Sequence, residues 1–303
     1  MPLQRFTDID ELVENGRRLG FDGGGAQLKP TPLSVLRDFF SIGELTVVRQ
    51  SGNSEIEFWG MTPENSFTFV VPLWREWYRI NSANAAVTDL VVMPPNTEIL
   101  IVTCAYDQFH VYVPLDLMSQ YVGQSVYSLR QELSAVLCLP LQRYRMQVLR
   151  YLLLQAGKGE SLGLELPLFQ HQICKFLSGA LRSEMNENPE SIRMEKKKQV
   201  LRRTRDIIFS SLDSKISLSE LSSAVHVSER TLQRVFKEEF QIGLRQYIKA
   251  HRLEQARQSL KKHIDHKSIS DIATEHGYDH LGRFSSDFKQ QFGLLPRDFL
   301  RNR

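Results

Sequence analysis

The 303-residue chain is poor in the features that build disulfide frameworks, zinc sites and membrane spans. Its three cysteines, Cys104, Cys138 and Cys174, are scattered and odd in number, which predicts reduced thiols. No apolar run approaches the roughly 20 residues of a membrane span, since runs such as Leu90–Met93 are strand-sized. The N-terminus has no basic start followed by an apolar core, so we predict no secretory signal. These absences predict a cytoplasmic protein with no membrane partner.

The chain also lacks the residue groupings that common catalytic sites require. Residues 1–165 contain a single histidine, His110, so a barrel metal site built from clustered histidines cannot be assembled. Gly23, Gly24 and Gly25 lack a following Lys-Ser/Thr and a preceding strand, so they predict a loop rather than a phosphate site. No nucleophile motif is present. We therefore expect no enzymatic activity, no metal and no cofactor.

Charge is distributed unevenly along the chain. Residues 1–190 carry a formal net charge of −6 and residues 191–303 carry +9. A basic rear half suggests that this half meets a polyanion, although chance segregation of solvated charge would give the same balance. Phosphate binding and a solvated helix face both fit its first basic cluster, which consists of Lys196, Lys197, Lys198, Arg202, Arg203 and Arg205.

Short runs rich in Val, Ile and aromatic residues occupy the chain from about 40 to 115, and turn residues separate them. Seven strands at this spacing predict a small β-barrel or sandwich, of cupin-like or jelly-roll type. The predicted strands are Glu44–Gln50, Glu55–Gly60, Ser66–Leu73, Trp77–Ile80, Val87–Met93, Glu98–Thr103 and Phe109–Val113.

Beyond Pro114 the apolar period lengthens and predicts helices between residues 140 and 185. These helices would pack on the barrel or on a partner subunit. Polar residues around Pro189 predict a linker over 186–198. The predicted fold is therefore an α+β, two-domain chain with a β-rich domain over 1–185 and an all-α domain over 199–303.

One weak internal repeat occurs in the rear half, over Ile216–Phe240 and Ile269–Phe292. Each copy has a short helix with apolar residues three or four apart, a short turn and a second amphipathic helix. This pattern is typical of a helix-turn-helix, so we predict two units in tandem, over 217–240 and 268–292.

Individual residues within the repeat support this interpretation. Ser228 and Asp279 follow the turns and can cap the second helices, while the small residues Ser222 and Ala273 allow the helices to cross closely. The residues predicted to face inward are Leu232, Val235, Phe236 and Phe240 in the first unit, and Leu281, Phe284, Phe288 and Phe292 in the second.

A helix without breakers is predicted between the two units, over Leu244–Leu260. It would be about 25 Å long, near the ~34 Å between successive major-groove faces on one side of DNA. One chain could thus place two helices in adjacent grooves. An ordinary helical bundle is the alternative.

Residues from about 200 to 301 resemble the DNA-binding module of the AraC/XylS family of bacterial regulators. The chain departs from the family pattern at Ser222, where Ala is common, and at Ser286, where Arg is common; a basic residue stands instead at Arg283. The matching features are Leu232-Gln233-Arg234-Val235-Phe236-Lys237, Tyr247-Ile248, Arg252-Leu253, Ala256, Leu260, Ile269, Ile272-Ala273, Gly277-Tyr278, Phe288-Lys289, Phe292-Gly293, Pro296 and Phe299.

The resemblance implies a sequence-specific transcription regulator, typically an activator, that binds promoter or operator DNA. It also implies RNA polymerase as a partner, a homodimer and a small-molecule effector bound to the N-terminal domain. Ser66-Phe67, Pro94-Pro95 and His280–Phe284 are faintly similar to ethanolamine-utilisation regulators, whose ligand we do not carry over.

Helical spacing places polar residues on the outer face of each second helix. Arg can bond a guanine edge and Gln an adenine edge, and Gly282 would permit close backbone approach; a solvated surface is the alternative. Arg283 could equally pair with Asp279 or Asp287. The predicted DNA-binding residues are Ser228, Glu229, Arg230, Thr231, Gln233, Arg234 and Lys237 in the first unit, and His280, Gly282, Arg283 and Ser286 in the second.

Aromatic residues cluster in the β-rich part of the chain and predict an apolar ligand pocket, although an ordinary aromatic core would use the same residues. Two alternatives to effector control stay open: the front domain only dimerises or binds a protein, or it is an enzyme that the module targets to DNA. The sequence offers no site for the latter. The predicted pocket residues are Trp59, Phe67, Phe69, Trp74, Trp77 and Tyr78.

Overall fold

The computed structural model describes residues 3–126, 128, 133, 135–160, 165–184, 191–212, 217–262 and 267–301. The chain divides into two compact units, one of residues 1–25 and 33–190 and the other of residues 26–32 and 191–303. Of the linker predicted over 186–198, residues 186–190 lie outside the described residues and residues 191–198 are helical. The lysine-rich part of the predicted linker is therefore the start of a helix.

Two β-sheets form the centre of the first unit. The strands are β1 (Gln4–Phe6), β2 (Asp22–Gln27), β3 (Val35–Ile42), β4 (Leu45–Gly52), β5 (Ile56–Met61), β6 (Ser66–Arg75), β7 (Tyr78–Ile80), β8 (Ala83–Asn84), β9 (Asp89–Met93), β10 (Glu98–Thr103), β11 (Tyr106–Pro114) and β12 (Leu137–Pro140). The larger sheet has the order β1-β3-β4-β11-β6-β9-β12, and the smaller has the order β2-β5-β10-β7-β8. All seven predicted strands are present; the strand predicted over Glu98–Thr103 has the same ends in the structure, and the other six have shifted ends.

The prediction of a closed barrel is wrong. Each sheet ends in two edge strands, β1 and β12 in the larger sheet and β2 and β8 in the smaller. The sheets therefore lie face to face as an open sandwich. Val70 and Met93 of the larger sheet pack in one cluster with Ile80 and Ile101 of the smaller.

The other face of the larger sheet is covered by helices. These are α2 (Leu115–Val122), α3 (Arg143–Gly157) and α4 (Leu166–Glu184), whereas α1 (Ile9–Arg17) lies between β1 and β2 in the chain. Because side chains alternate along a strand, Phe109 and Val111 of β11 join the helix-facing core. Their neighbours His110 and Tyr112 line a cavity on the opposite side.

The glycine run predicted as a loop forms half of the six-residue strand β2 instead. A Cβ atom built on Gly24 would lie 2.7 Å from Cζ2 of Trp59, closer than side chains tolerate. Glycine here lets β2 approach β5 closely, so the run serves packing rather than a turn.

The C-terminal part of the second unit, from residue 191 onward, is all-α among the described residues, and this agrees with the prediction for 199–303. Its helices are α5 (Ser191–Ser210), α6 (Leu218–Ala224), α7 (Glu229–Phe240), α8 (Leu244–Lys262), α9 (Ile269–Glu275), α10 (Leu281–Phe292) and α11 (Pro296–Arg301). Helix α8 is buried on more than one side because it serves both helix-turn-helix units. Near its start Tyr247 packs on Phe240, with ring centroids 4.3 Å apart, and towards its end Leu253 and Leu260 pack with Phe284.

No helix within the described ranges is both long enough and apolar enough to span a membrane.

Candidate DNA-binding surface and ligand cavity

The first helix-turn-helix is fixed by side-chain caps at both helix starts. Ser217 accepts a hydrogen bond from the Glu220 amide at 3.1 Å, and the Glu220 carboxylate accepts one from the Ser217 amide at 2.8 Å. Ser228 caps α7 by accepting from the Thr231 amide at 3.2 Å, which confirms the predicted cap. Satisfying these otherwise orphan amides sets where each helix begins.

Helix α7 has a buried face and an exposed face, as its spacing predicts. The buried side chains are Leu232, Val235, Phe236 and Phe240. The exposed side chains are Glu229, Arg230, Gln233, Arg234 and Lys237, flanked by exposed Ser228 and partly buried Thr231. One helix face therefore presents several donors that match base edges and phosphates.

The exposed basic residues of α7 differ in their partners. Arg234 donates from Nη1 to Oε1 of Glu238 at 2.7 Å, and this bond lowers the pKa of the Glu238 carboxyl. Lys237 donates to the carbonyl of Gln241 at 3.0 Å. In the described part of the chain, no carboxylate forms an ion pair with Arg230. Arg230 is thus available for an external partner, whereas Arg234 is already paired with a carboxylate.

The second helix-turn-helix repeats this design, with differences at the start of its second helix, α10. Ser268 and Asp271 form a capping box at the start of α9. The cap predicted at Asp279 is wrong, because α10 begins at Leu281 and its N-cap is His280, which makes no side-chain cap bond. Gly277, with φ of 77°, provides the left-handed turn that bulkier residues disfavour.

In the second helix-turn-helix, one of the residues predicted to face inward is exposed instead. Phe284 and Phe288 are fully buried and Phe292 packs against the same cluster, but Leu281 is 44% exposed. Leu281 is the first residue of α10, and the core cluster does not extend to it. An exposed apolar side chain at this place could contact a thymine methyl group.

All four residues predicted to bind DNA in the second helix-turn-helix are exposed; they are His280, Gly282, Arg283 and Ser286. Asp287 is held by Lys249, whose Nζ lies 3.2 Å from Oδ1, and by the Tyr278 hydroxyl at 3.5 Å. Asp287 therefore already has bonding partners other than Arg283.

A groove that sequence reasoning missed lies beside this helix. It has a volume of about 700 Å³, and its basic lining residues are Arg245, Lys249, Arg252, His280 and Arg283. The carboxylates Asp279 and Asp287 also line it. The missed residues are on α8, which the sequence pattern identifies only as a connecting helix. A groove with this excess of cations suits a phosphate backbone.

The six aromatic residues predicted to bind a ligand do not surround one space. Phe67 and Phe69 are fully buried in the helix-facing core, Tyr78 is in the cluster between the sheets, and Trp74 is 51% exposed. Trp59 lies against Gly24. None of the six, Trp77 included, lines the cavity of the first unit.

That cavity lies between the two sheets and beside α1, with a volume of about 80 Å³. One wall is polar and comes from the larger sheet; its residues are Arg37, Gln50, Thr68, His110 and Tyr112. The opposite wall is apolar and includes Leu12, Val13, Phe58, Ile99 and Ile101. Sequence reasoning missed it because these residues converge from separate elements.

Residues 221–302 match the family model described as a helix-turn-helix domain. The chain is 28% identical over 137 residues to the XylDLEGF operon transcriptional activator of Pseudomonas putida, covering 45% of this chain and 43% of that protein. It is 30% identical over 96 residues to the transcriptional regulatory protein HptR of Staphylococcus aureus, covering 32% of this chain and 37% of that protein. The chain thus spans less than half the length of these relatives.

Among solved structures, the chain is similar to a transcriptional regulator from Chromobacterium violaceum with an AraC-type DNA-binding domain. The identity is 27%, the TM-score is 0.33, and the match covers 34% of this chain and 90% of that one. The C-terminal unit is a helix-turn-helix domain. Its relatives and structural neighbours include the XylDLEGF operon transcriptional activator and a regulator with an AraC-type DNA-binding domain.

Proposed function

We propose that the protein is a transcription regulator that binds specific DNA sequences through the two recognition helices, α7 and α10. The observation that carries this proposal is the exposed polar face of α7, where Arg230, Gln233 and Arg234 stand above a fully buried apolar face. Arg and Gln are the side chains that read guanine and adenine edges in the major groove. The relatives named above are transcription regulators, which agrees with the lack of an enzyme motif.

The connection between the recognition helices supports binding to two grooves. Helix α8 has 19 residues, about 28 Å at 1.5 Å per residue. Because α8 packs against both helix-turn-helix units, it holds them at a fixed separation. The spacing of major grooves on one DNA face is about 34 Å. Basic side chains in the adjoining groove, such as Arg245, would hold the phosphates between the two contacts.

The test is a binding titration of the full chain on labelled DNA flanking its own gene, by fluorescence anisotropy. Arg230→Ala should weaken binding about 5- to 150-fold, the loss of one good base contact. Arg143→Ala, which removes an exposed arginine from the first unit, is the charge-matched control and should bind like the wild type. Equal binding by all three proteins would refute the proposed role of α7.

We further propose that a small molecule bound in the cavity of the first unit controls DNA binding or activation at the promoter, where RNA polymerase is the expected partner. The cavity supports this because it combines a polar and an apolar wall, as ligand sites commonly do. A thermal-shift screen with metabolites tests it, followed by DNA binding and promoter activity with each hit. No hit, or hits without an effect on either readout, would count against it.

The alternative is that the first unit only dimerises or binds a protein, and one feature favours dimerisation. Tyr144, Val148 and Tyr151 are 66%, 48% and 52% exposed. They lie on one face of α3, since they are four and three residues apart. Sedimentation of the wild type and of Val148→Asp tests this: a dimer that the aspartate dissociates supports it, and a monomeric wild type refutes it.

A further inference from the structure

We propose that the cavity of the first unit binds a small organic anion, a carboxylate with a short apolar body, and that Arg37 pairs with its carboxylate. This inference rests on the proposed effector control and adds the chemical class of the effector. Within the described residues, it is carried by a buried cation that has no carboxylate partner, by a buried hydroxyl that has no hydrogen bond, and by the apolar wall opposite.

The first observation is the surroundings of Arg37. The residue is 8% exposed, and its Nε donates to Oε1 of Gln50 at 2.5 Å. Its Nη1 donates to the Leu12 carbonyl at 3.2 Å and to Oδ1 of Asn15 at 2.6 Å. All of these acceptors are neutral, and within the described ranges no carboxylate forms an ion pair with Arg37.

A buried guanidinium with only neutral partners is costly. Burial lowers the pKa of Arg37, yet arginine stays protonated in proteins. Breaking or omitting one half of a buried ion pair leaves a charge that neutral dipoles compensate only in part. The planar fork of arginine fits a carboxylate better than any other common anion except phosphate.

The second observation is on the same wall of the cavity. Among the residues that the structure describes, none forms a hydrogen bond with the buried hydroxyl Oγ1 of Thr68, and the residue is 3% exposed. Buried hydroxyls are nearly always bonded, so this one calls for a partner inside the cavity. A ligand oxygen near Arg37 would accept its proton.

His110 is another polar residue of this wall, and it carries no charge. Burial, reinforced by the positive charge of Arg37, lowers the pKa of His110 to about 3. The imidazole is therefore neutral at physiological pH, and one ring nitrogen lies 2.9 Å from Nε2 of Gln108. The polar wall thus carries a single charge, which selects a monoanion.

The opposite wall and the volume set the rest of the ligand. Leu12, Phe58, Ile99 and Ile101 offer an apolar surface. The volume of about 80 Å³ corresponds to roughly three waters at about 30 Å³ each, and to about half of a cavity that holds benzene. A ligand of about three to five heavy atoms therefore fits, whereas a nucleotide or a lipid does not. Short aliphatic carboxylates meet both conditions.

The same guanidinium also joins the cavity to helix α1, since Leu12 and Asn15 belong to that helix. A carboxylate that draws on Arg37 competes with these two acceptors. Ligand binding therefore acts on the attachment of α1 to the larger sheet, which provides a route from ligand to conformation.

The experiment uses the full chain and two probe series, acetate and propionate against acetamide and propionamide. Thermal shift and titration calorimetry measure binding at pH 7. We expect the carboxylates to raise the melting temperature in a concentration-dependent way and the amides to have no effect. Amides that bind as tightly as the acids, or no binding by any acid, would overturn the inference.

Variants locate the site. Arg37→Gln should weaken carboxylate binding at least tenfold, and the control Arg49→Gln, which removes an exposed arginine on the neighbouring strand, should not. Thr68→Val keeps the shape of the side chain and removes only the unbonded hydroxyl, so it should fold well yet bind the acids more weakly. If Arg37→Gln does not fold, Thr68→Val decides: unchanged binding would refute the site.

DNA binding, measured in parallel, separates this inference from the proposed effector control. Carboxylate binding that depends on Arg37 but changes neither DNA binding nor promoter activity supports the site and refutes effector control. A response to a neutral or cationic ligand in the same cavity supports effector control and refutes the anion.

Discussion

Replacing Glu238 by Gln should strengthen DNA binding, although it removes a contact from the recognition helix. In the free protein the Glu238 carboxylate holds Arg234 at 2.7 Å, and it lies 3.6 Å from Lys197. These cations must leave the carboxylate, at least in part, when they engage DNA. The carboxylate also repels the phosphates that approach α7. Both effects oppose binding, and Glu238→Gln removes both.

The size of the gain follows from two contributions. The Arg234–Glu238 pair joins residues four apart on a helix with side chains 62% and 43% exposed, and such pairs are worth about 0.3–0.5 kcal/mol. Repulsion between Glu238 and a phosphate at about 8 Å in water adds about 0.5 kcal/mol. The total of about 1 kcal/mol corresponds to roughly fivefold tighter binding.

Fluorescence anisotropy at low and high salt measures this gain. It should shrink as salt rises, because both contributions are screened. The control is Glu14→Gln, which breaks a similar exposed pair with Arg17 at 3.0 Å in the first unit and makes the same change in net charge. Affinity for Glu238→Gln that is weaker than wild type, or no different from the control, would refute the reasoning.

Three further outcomes test other parts of the structure. Arg245→Ala should weaken binding to all DNA sequences about equally and reduce the slope of log affinity against log salt by about one, whereas an unchanged slope would place the groove away from DNA. The folded state holds the pKa of His110 at about 3, below the unfolded value of about 6.5, so the unfolded chain takes the proton first and stability is lost as pH falls below 6.5. The loss should be about 2 kcal/mol between pH 6.5 and 5, visible in urea unfolding and absent in His110→Gln; equal pH dependence in both proteins would contradict it. Phe284→Ala should lower the free energy of unfolding of the C-terminal unit by about 3–5 kcal/mol. Leu281→Ala removes a side chain that is 44% exposed and should change that free energy little; similar losses in both variants would mean that Leu281 is part of the core.

Local patterns predicted the parts of the fold that depend on local physics. Runs rich in Val, Ile and aromatic residues mark β6 and β11, the apolar spacing marks α7, and the Ser228 cap follows from the need of the first helical amides for acceptors. The sequence could not predict β2, because glycine in a strand is explained only by the Trp59 ring that packs on it. Barrel closure likewise depends on how β1 and β12 end the larger sheet.

The candidate sites divide in the same way. The exposed face of α7 could be predicted because one helix contains both its buried and its exposed residues. The cavity could not, since Arg37, Thr68 and His110 come from three strands, and only the sheet order β3-β4-β11-β6 brings them to one wall. The sequence-based prediction of a ligand pocket relied on aromatic residues instead, but Phe67 and Phe69 belong to the helix-facing core.

The central claim is that two recognition helices of one chain bind successive major grooves. A methylation-protection and hydroxyl-radical footprint on the DNA flanking the gene tests it most directly, with Arg230→Ala and Arg283→Ala alongside. We predict two protected major-groove segments on one face of the DNA, about 10–10.5 base pairs apart, with each variant losing protection in a different segment. A single protected segment, or loss of both segments together in either variant, would contradict the claim.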